Sequence, residues 1–546
     1  MLLFHLLCLP RALAVLTGLG SVKQRPLQSP HEYDPLASHD FEAFINRTLD
    51  EFLTPGVAIA VVHGNKTFSK GYGYANIHTH DPVTPRTLFQ AGSTTKSFTA
   101  ATMSKLVYSN ESAYAEISWT TKLADLIRDD FVLHDEYATT HITLADALSH
   151  RTGMPRHDLV WTISDPTLKE QVRQLRYVPL SHEIRTEWQY CNLMFSAVSL
   201  AIETVTGTAM GTLLREWIWQ PLGMHETFYS TSETLAFTEQ SDQVNMARGY
   251  LYDNYTKVQV EVPYSDLPPA NGAGGVISNV LDYIRWIRMF LHPSSSSNPI
   301  SASAIKTMTS AHMLMAPEWR PSTGADFYAL GLIGSVYRGH ELLGHNGAIN
   351  GYMTDMQWVP ELDWGVVIMQ NAYSLAAEIV LWRLLDDFLL TPEGERFDMA
   401  GTARQVQAKK IEQLESAREI LYPEADVSAA VGPALPLSAY EGLYHHPGYK
   451  GLRLSKSREP DGAALPGAPL PLYANPATRS YLNISATLHH VSGEHWWAQV
   501  QSGPGSWLAD EVMRARFEIG ANGKVKGLGL QAEPAMAELA WFEKVE

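Results

Sequence analysis

The stretch from Phe89 to Val107 constrains the fold of this chain most strongly. Gly92 lets the backbone turn, and the small and apolar residues after it are typical of a helix buried among other elements. Ser93 falls at the start of this helix, and Lys96 follows one turn later on the same face. The sequence therefore predicts a serine hydroxyl beside a lysine at the N-terminus of a buried helix.

Two interpretations of this Ser-x-x-Lys pair are open from the stretch alone. Ser93 is either an ordinary helix N-cap followed by a surface lysine, or a nucleophile whose proton Lys96 accepts. The second interpretation requires burial or neighbouring charges to keep Lys96 neutral near pH 7.

Length and composition limit the kind of protein. A chain of 546 residues exceeds one compact core and predicts two domains. Apolar residues make up 45% and charged residues 18%, without a long uninterrupted apolar run, which predicts a globular protein with no stable membrane anchor. The net charge of -17 opposes nucleic acid as a partner, because phosphate binding needs clustered Lys and Arg. The oligomeric state is left open.

The N-terminus and the glycosylation sequons predict secretion. Residues 1–19 resemble a short signal segment, although Arg11 interrupts the apolar run, and a polar leader follows over 20–37. Cysteine usage is neutral, because Cys8 would leave with the signal and Cys191 would then have no disulfide partner. Predicted N-glycosylation sites are Asn46, Asn65, Asn110, Asn254 and Asn483.

The hydrophobic patterns predict an α+β catalytic domain over 38–390. A helix, the strands 56–63 and 67–74, helical patterns over 101–230 and three later strands suggest an antiparallel sheet covered by helices. A charged helical connector over 391–435 precedes a different pattern. Residues 436–546 read as a small antiparallel β-barrel, with 457–470 as a loop and Asn522-Gly523 as a two-residue hairpin turn.

Three short motifs stand in order along the predicted catalytic domain. They are Ser93-Thr-Thr-Lys96, Tyr190-Cys-Asn192 and His345-Asn-Gly347. Asn192 precedes a helix and could be a plain N-cap, or its amide could face a cleft with the Tyr190 phenol. His150, in Ser-His-Arg-Thr-Gly, reads as a capping or core-edge residue rather than a base.

This ordered set resembles the serine β-lactamase, penicillin-binding and D-aminopeptidase family, especially its class C-like and esterase branches. The resemblance covers about residues 38 to 390 and includes Leu144 to Pro155 and Pro221-Leu-Gly-Met224. It implies a β-lactamase/transpeptidase-like fold. The region 436–546 is similar to the lipocalin-like domains appended to some members.

The resemblance also implies a mechanism without metal or organic cofactor. Ser93 would attack an amide or ester carbonyl and form an acyl-enzyme, with Lys96 and Tyr190 jointly moving the proton. Asn192 would bond Lys96 or the substrate, and the backbone N–H groups of Ser93 and Ala348 would hold the oxyanion.

Three departures from the family pattern bear on specificity. Ile184-Arg185 replace a common Pro-Gly, so that loop is expected to differ in shape, and Cys191 is expected to be buried and inert. His345 replaces a lysine of the third motif, whose companion Gly347 is retained. A neutral imidazole would leave the pocket without a permanent positive charge, which favours a small-molecule or short-peptide substrate lacking a free carboxylate beside the scissile bond.

Two other functions share some of these features. An acyltransferase would use the same nucleophile and pass the acyl group to an amine or alcohol in secondary-metabolite biosynthesis. A non-catalytic sensor or scaffold would retain the fold, but the intact Ser93, Lys96 and Tyr190 favour an enzyme.

Overall fold

The computed structural model describes residues 34–253, 256–264, 266–316, 321–456, 471–478, 484–502 and 511–546. The predicted signal segment at 1–19, most of the leader, the loop at 457–470 and two sequons, Asn254 and Asn483, therefore lie outside the described residues.

The strands of the described residues fall into a long first group and a second group after residue 440. In chain order they are β1 (Gly56–His63), β2 (Lys66–Asn76), β3 (Asp81–Pro82), β4 (Phe89–Gln90), β5 (Gly249–Asp253), β6 (Val258–Val262), β7 (Ile277–Ser278), β8 (Met313–Leu314), β9 (Phe327–Tyr328), β10 (Ile333–Tyr337), β11 (His340–Ile349), β12 (Tyr352–Val359), β13 (Trp364–Gln370), β14 (Gly442–His446), β15 (Lys450–Ser455), β16 (Leu472–Pro476), β17 (Ile484–Ser492), β18 (His495–Ser502), β19 (Glu511–Ile519), β20 (Val525–Leu530) and β21 (Ala540–Lys544).

The helices lie almost entirely before residue 422. In chain order they are α1 (His39–Glu51), α2 (Thr95–Val107), α3 (Leu123–Leu126), α4 (Glu136–His141), α5 (Leu144–Leu148), α6 (Leu159–Thr162), α7 (Leu168–Gln174), α8 (Asn192–Thr206), α9 (Met210–Leu214), α10 (Gln220–Leu222), α11 (Thr231–Thr238), α12 (Asn271–Gly274), α13 (Val280–Leu291), α14 (Ala302–Thr309), α15 (Ala376–Phe388), α16 (Met399–Glu415) and α17 (Ala417–Leu421).

The central antiparallel sheet is buried on both faces. Its strand order is β3-β2-β1-β13-β12-β11-β10-β9-β8. In β1, Val57 and Ile59 join the core beneath α1 and α15, whereas Ala58 and Ala60 join the core on the opposite side. Double burial explains why β1 reads as a continuous apolar run instead of an alternating one. The α+β architecture predicted from the sequence is confirmed.

Helix α2 lies on the inner side of this sheet and is buried along nearly its whole length, as predicted. It packs against α8, α12 and α14, and the 3₁₀ turn Gly92–Thr94 that precedes it contacts β11 and β12. Each of the three motifs thus lies where the helical layer meets the sheet.

The C-terminal strands β14 to β21 close into an eight-stranded antiparallel barrel, which confirms the predicted β-barrel. Its interior is filled by large rings such as Tyr444, Trp496 and Phe517. The predicted two-residue hairpin turn is wrong, because Ile519 pairs with Val525 after a register shift and a five-residue loop connects them. The domain boundaries near residues 390 and 435 stay predictions.

A buried cluster joins the barrel to the catalytic layer. The backbone N–H of His157 donates to Glu533 Oε2 at 2.7 Å, and its ring Nδ1 lies 2.6 Å from the Tyr449 hydroxyl. Its Nε2 lies 2.8 Å from the carbonyl oxygen of Pro179. Buried polar groups that are satisfied in this way fix one relative orientation of their elements.

In the described ranges, no single helix is both long and apolar enough to cross a membrane. Helix α8 and the segment Met210–Leu222 are together long and apolar enough to cross a membrane, but they are bent by 82° relative to each other. Both segments contribute to the main hydrophobic core.

Candidate active site

Ser93 and Lys96 meet at the start of α2. Lys96 Nζ lies 3.1 Å from Ser93 Oγ, 2.8 Å from Asn192 Oδ1 and 2.9 Å from the carbonyl oxygen of Ala273. These three oxygens come from α8, α12 and the turn before α2, so the lysine is held from three sides. Because the Lys96 side chain has no exposed surface, the surface-lysine interpretation is wrong.

The surroundings of Lys96 disfavour its charged form. Burial lowers the pKa of Lys96 well below its usual value, the positive charge of Arg156 lowers it further, and Asp158 acts in the opposite direction. The lower pKa increases the fraction of Lys96 that is neutral, and the neutral amine has a lone pair. It can therefore accept the proton of Ser93 Oγ.

Tyr190 completes the group on the other side of the serine. Its hydroxyl is hydrogen-bonded to Ser93, and its ring centre lies 4.7 Å from Lys96 Nζ. Burial raises the pKa of Tyr190, although the bond to Ser93 and the charge of Arg156 partly oppose this. The phenol is therefore protonated at neutral pH and can pass a proton on when Lys96 receives one.

His150 contacts the second motif, Tyr190-Cys-Asn192, and helps to hold it in place. It is fully buried, its ring lies 4.3 Å from the Tyr190 ring, and its Nδ1 accepts the backbone N–H of Cys191 at 3.0 Å. Burial and the charge of Lys96 hold the pKa of His150 well below its usual value. The prediction of a structural role fits this placement, which is inside the core and not at its edge.

Asn192 does not cap its helix. Helix α8 has Cys191 at its N-cap position and no side-chain cap bond. The Asn192 side chain instead accepts from Lys96 and donates from Nδ2 to Asp158 Oδ1 at 2.9 Å. The alternative in which the amide faces the cleft is the observed one.

Sequence reasoning missed the pair Arg156 and Asp158. Asp158 accepts from Arg156 Nε at 2.7 Å and from Trp161 Nε1 at 2.9 Å, in addition to Asn192. Burial raises the pKa of Asp158, but Arg156 and these donors outweigh it, so the carboxylate is ionised. The sequence contains one signal that could have indicated this pair, namely two residues of opposite charge soon after the turn that ends at Pro155.

Two glycines, Gly92 and Gly347, allow the backbone segments that carry the nitrogens of Ser93 and Ala348 to approach each other closely. A Cβ on Gly92, whose φ is 55°, would lie 2.7 Å from Ala348 N. A Cβ on Gly347 would lie 3.0 Å from Ser93 N and 2.0 Å from the carbonyl oxygen of Ala91. Glycine is required at both positions so that strand β11 can approach the nucleophile turn.

His345 is buried in strand β11, with 3% of its surface exposed. Its Nδ1 hydrogen-bonds the carbonyl oxygen of Asn346, so this nitrogen carries a proton, and Nε2 lies 2.8 Å from the Tyr328 hydroxyl. A neutral ring satisfies both bonds. The ring lies beside Tyr190 but does not line the cavity, whereas the neighbouring residues Asn346 and Ala348 do.

Two predicted departures have a structural basis. Arg185 adopts a left-handed φ of 68°, as a glycine would, and its guanidinium bonds the buried Asp146 at 2.7 Å. The ion pair with Asp146 thus holds Arg185 in a backbone conformation that glycine adopts more readily, and the predicted difference in loop shape stays a prediction. Cys191 is fully buried as predicted, and burial raises its thiol pKa to about 12.

The Ser93 hydroxyl opens into a cavity of about 800 Å³ shared by both parts of the chain. The catalytic layer contributes Trp161, Trp188 and Tyr373, and the barrel contributes Glu511 and Met513. The barrel therefore borders the mouth of the site.

The expectation of a cavity without a permanent cation is wrong. Arg156 lines the cavity, its side chain is 46% exposed, and its Nε donates to Asp158 at 2.7 Å.

Together, the sheet, the buried helix and the Ser-x-x-Lys and Tyr-x-Asn geometry define a serine hydrolase related to the β-lactamases. A family model described as Beta-lactamase matches residues 45–389, and one described as a domain of unknown function (DUF3471) matches residues 427–544. The chain belongs to the β-lactamase family.

Relatives match over nearly the whole chain. It is 34% identical over 530 residues to an unguisins hydrolase of Aspergillus violaceofuscus, which covers 93% of this chain and 90% of that protein. It is 36% identical over 523 residues to a second unguisins hydrolase, from Aspergillus campestris, with 94% and 92% covered. The structure of an octameric penicillin-binding protein homologue from Pyrococcus abyssi shares the fold, with a TM-score of 0.56, 21% identity, and 92% and 99% covered.

Proposed function

We propose that Ser93 is the nucleophile of this hydrolase and that Lys96 and Tyr190 move its proton. The observation that carries this proposal is the contact of 3.1 Å between Ser93 Oγ and the fully buried Lys96 Nζ, whose pKa is strongly lowered. A neutral amine at this distance is a competent general base.

The reaction then runs in two halves. Ser93 Oγ bonds to the carbonyl carbon as its proton passes to the Lys96–Tyr190 pair, and the carbonyl oxygen becomes negatively charged near the backbone nitrogens of Ser93 and Ala348. The pair returns the proton to the leaving amine or alcohol as its bond to carbon breaks. Water then attacks the acyl-enzyme by the same path, and the carboxylic acid leaves with Ser93 restored.

Asn192 has a positioning role in this proposal. Its amide oxygen faces Lys96 because its nitrogen is bonded to Asp158, which fixes the orientation of the amide. The side chain thereby aims the lysine at Ser93. His345 and Gly347 shape strand β11, and His345 acts through its neighbours Tyr190 and Tyr328 instead of through direct substrate contact.

We further propose that the substrate is a peptide-like compound whose amide bond carries no free carboxylate next to it. Two relatives that match over nearly their whole length are named for the hydrolysis of unguisins, which supports the hydrolysis of a small molecule of the same or a similar class. A cavity of about 800 Å³ lies within the range that binds compounds of drug size. Simple esters should be cleaved as well, since they use the same acyl-enzyme.

The proposal also includes secretion with N-glycosylation. The N-terminal apolar segment and the number of sequons support it, and Asn46, Asn65 and Asn110 are exposed. Expression from the natural N-terminus in a eukaryotic host tests it. The protein should be recovered from the medium and should lose mass on treatment with an N-glycosidase, whereas retention in the cell without glycans would contradict this part.

Covalent labelling tests the nucleophile. A fluorophosphonate should add once, on the peptide that contains Ser93, and Ser93→Ala should abolish both labelling and turnover. Lys96→Ala should cost nearly as much, because residues that act as one catalytic unit are not additive. Ser104→Ala is the matched control, since Ser104 is a buried serine of the same helix whose hydroxyl donates to the carbonyl oxygen of Ala101. Undiminished labelling of Ser93→Ala would refute the assignment.

A further inference from the structure

We propose that the mouth of the C-terminal barrel is a subsite that binds an apolar group of the substrate while the scissile carbonyl lies at Ser93. This inference rests on the proposed function, because it assigns the substrate's apolar group to a place beside the catalytic cavity.

The subsite is a second, smaller cavity of about 40 Å³ at one end of the barrel. Its wall is made of barrel residues such as Leu452, Leu488 and Ala498. Leu159 and Ile163, from helix α6 and the residue after it, close it from the catalytic side. A space between barrel and helix is thus lined from both parts of the chain.

The two cavities adjoin each other. Leu159, Val500 and Met513 line both the small cavity and the large one that contains Ser93. Met513 is a side chain with several rotatable bonds, which adapts readily to irregular apolar ligands. A substrate group that reaches past these three residues leaves the catalytic cavity and enters the barrel.

The chemistry of the wall selects the occupant. Apart from Ser485, the lining side chains carry only carbon and sulfur atoms. Water in such a space would lack the two to four polar partners that hold a buried water, so an apolar group gains by entering. The occupant is therefore a small aliphatic group of the substrate and not a charged or strongly polar one, and a space of about 40 Å³ is too small for an aromatic ring.

The experiment measures turnover of two homologous series by the full-length enzyme. One series is p-nitrophenyl esters from acetate to decanoate, which lengthens the acyl side. The other is alkyl acetates from ethyl to decyl, which lengthens the leaving side. In one series kcat/KM should rise about fourfold per methylene until the subsite is full, because each buried CH₂ contributes about 0.8 kcal/mol.

Matched pairs of variants locate the effect. Ala498→Leu fills the subsite and should move the best chain length to a shorter ester, whereas Leu452→Ala enlarges it and should move the optimum to a longer one. Ala515→Leu and Leu454→Ala make the same changes at buried barrel positions that do not line either cavity. These two controls should leave the optimum where it is.

The outcomes separate the two levels of the argument. If Ser93 is labelled normally but neither series depends on chain length, or the optimum ignores Ala498→Leu and Leu452→Ala, the subsite is refuted and the proposed function stands. If Ser93 is neither labelled nor active, the proposed function fails and the subsite with it. If Ala498→Leu does not fold, the test is the comparison of the best chain length between Leu452→Ala and its control Leu454→Ala.

Discussion

The substitution Asp158→Asn tests whether this carboxylate positions the catalytic amide. Asp158 accepts three hydrogen bonds, from Asn192, Trp161 and Arg156. An asparagine has only one acceptor oxygen. If that oxygen faces Asn192 and Trp161, its NH₂ group meets the Arg156 donor, and if the amide flips, its NH₂ group meets the other two. Either way, at least one donor is left without its acceptor.

The loss has a definable size. A hydrogen bond to a charged group is worth roughly 1.5–3 kcal/mol, which corresponds to about 10–150-fold. We expect kcat/KM to fall by up to this factor, because Asn192 keeps only a neutral acceptor in one orientation of the new amide and loses its acceptor in the other. In both cases its oxygen is held less firmly toward Lys96. Trp161→Phe removes a donor to the same oxygen but leaves the bond from Asn192 in place, so it should lower kcat/KM less than Asp158→Asn does.

The pH profile gives a second, independent readout. Lys96 acts as a base only when neutral, so activity rises with pH through its pKa. Asp158 raises this pKa and Arg156 lowers it. The acidic limb of the pH–activity profile should therefore move to lower pH in Asp158→Asn and to higher pH in Arg156→Gln.

The assay is hydrolysis of a p-nitrophenyl ester as a function of pH, with thermal unfolding of every variant. Asp146→Asn is the matched control, because Asp146 is also a buried carboxylate held by arginine, in its case by Arg151 and Arg185. It should lower stability and leave the acidic limb in place. An Asp158→Asn enzyme with nearly full activity, or a limb that moves to higher pH, would refute the positioning argument.

Three further outcomes are expected. Gly92→Ala should abolish activity and labelling of the nucleophile in a protein that still folds, because the new Cβ would press against Ala348 N; normal kinetics would contradict the close approach. The wild type should hydrolyse a neutral ester with a higher kcat/KM than a penicillin, because His345 does not line the cavity and the guanidinium of Arg156, which does, is already paired with Asp158. A preference for the penicillin would show that the cleft recognises an anion. Limited proteolysis, followed by mass spectrometry, should cut first within the charged connector 391–435 or within the Pro- and Gly-rich loop 457–470. First cuts inside helix α2, which carries the nucleophile at its start, would disprove that domain division.

The sequence alone determined the elements that depend on local pattern. The apolar run Gly56–His63 and the small-residue helix after Gly92 were predicted because periodicity and turn residues act over a few positions. The order of the three motifs identified the family for the same reason, since each motif is short and its chemistry is visible in its residue types. The barrel was predicted from the hairpin pattern after residue 436. The two-residue turn at Asn522-Gly523 was predicted wrongly, because a register shift in the neighbouring ladder lengthens the loop.

Only the tertiary structure decided how the site is tuned. The low pKa of Lys96 arises from complete burial and from Arg156, neither of which is visible in a Ser-x-x-Lys pattern. The contact between Lys96 and Asn192 joins residues 96 positions apart, and the bond between His157 and Glu533 joins residues 376 positions apart. Such contacts depend on how packed layers meet, and burial sets the electrostatic energy of a charge far more than its neighbours in sequence do.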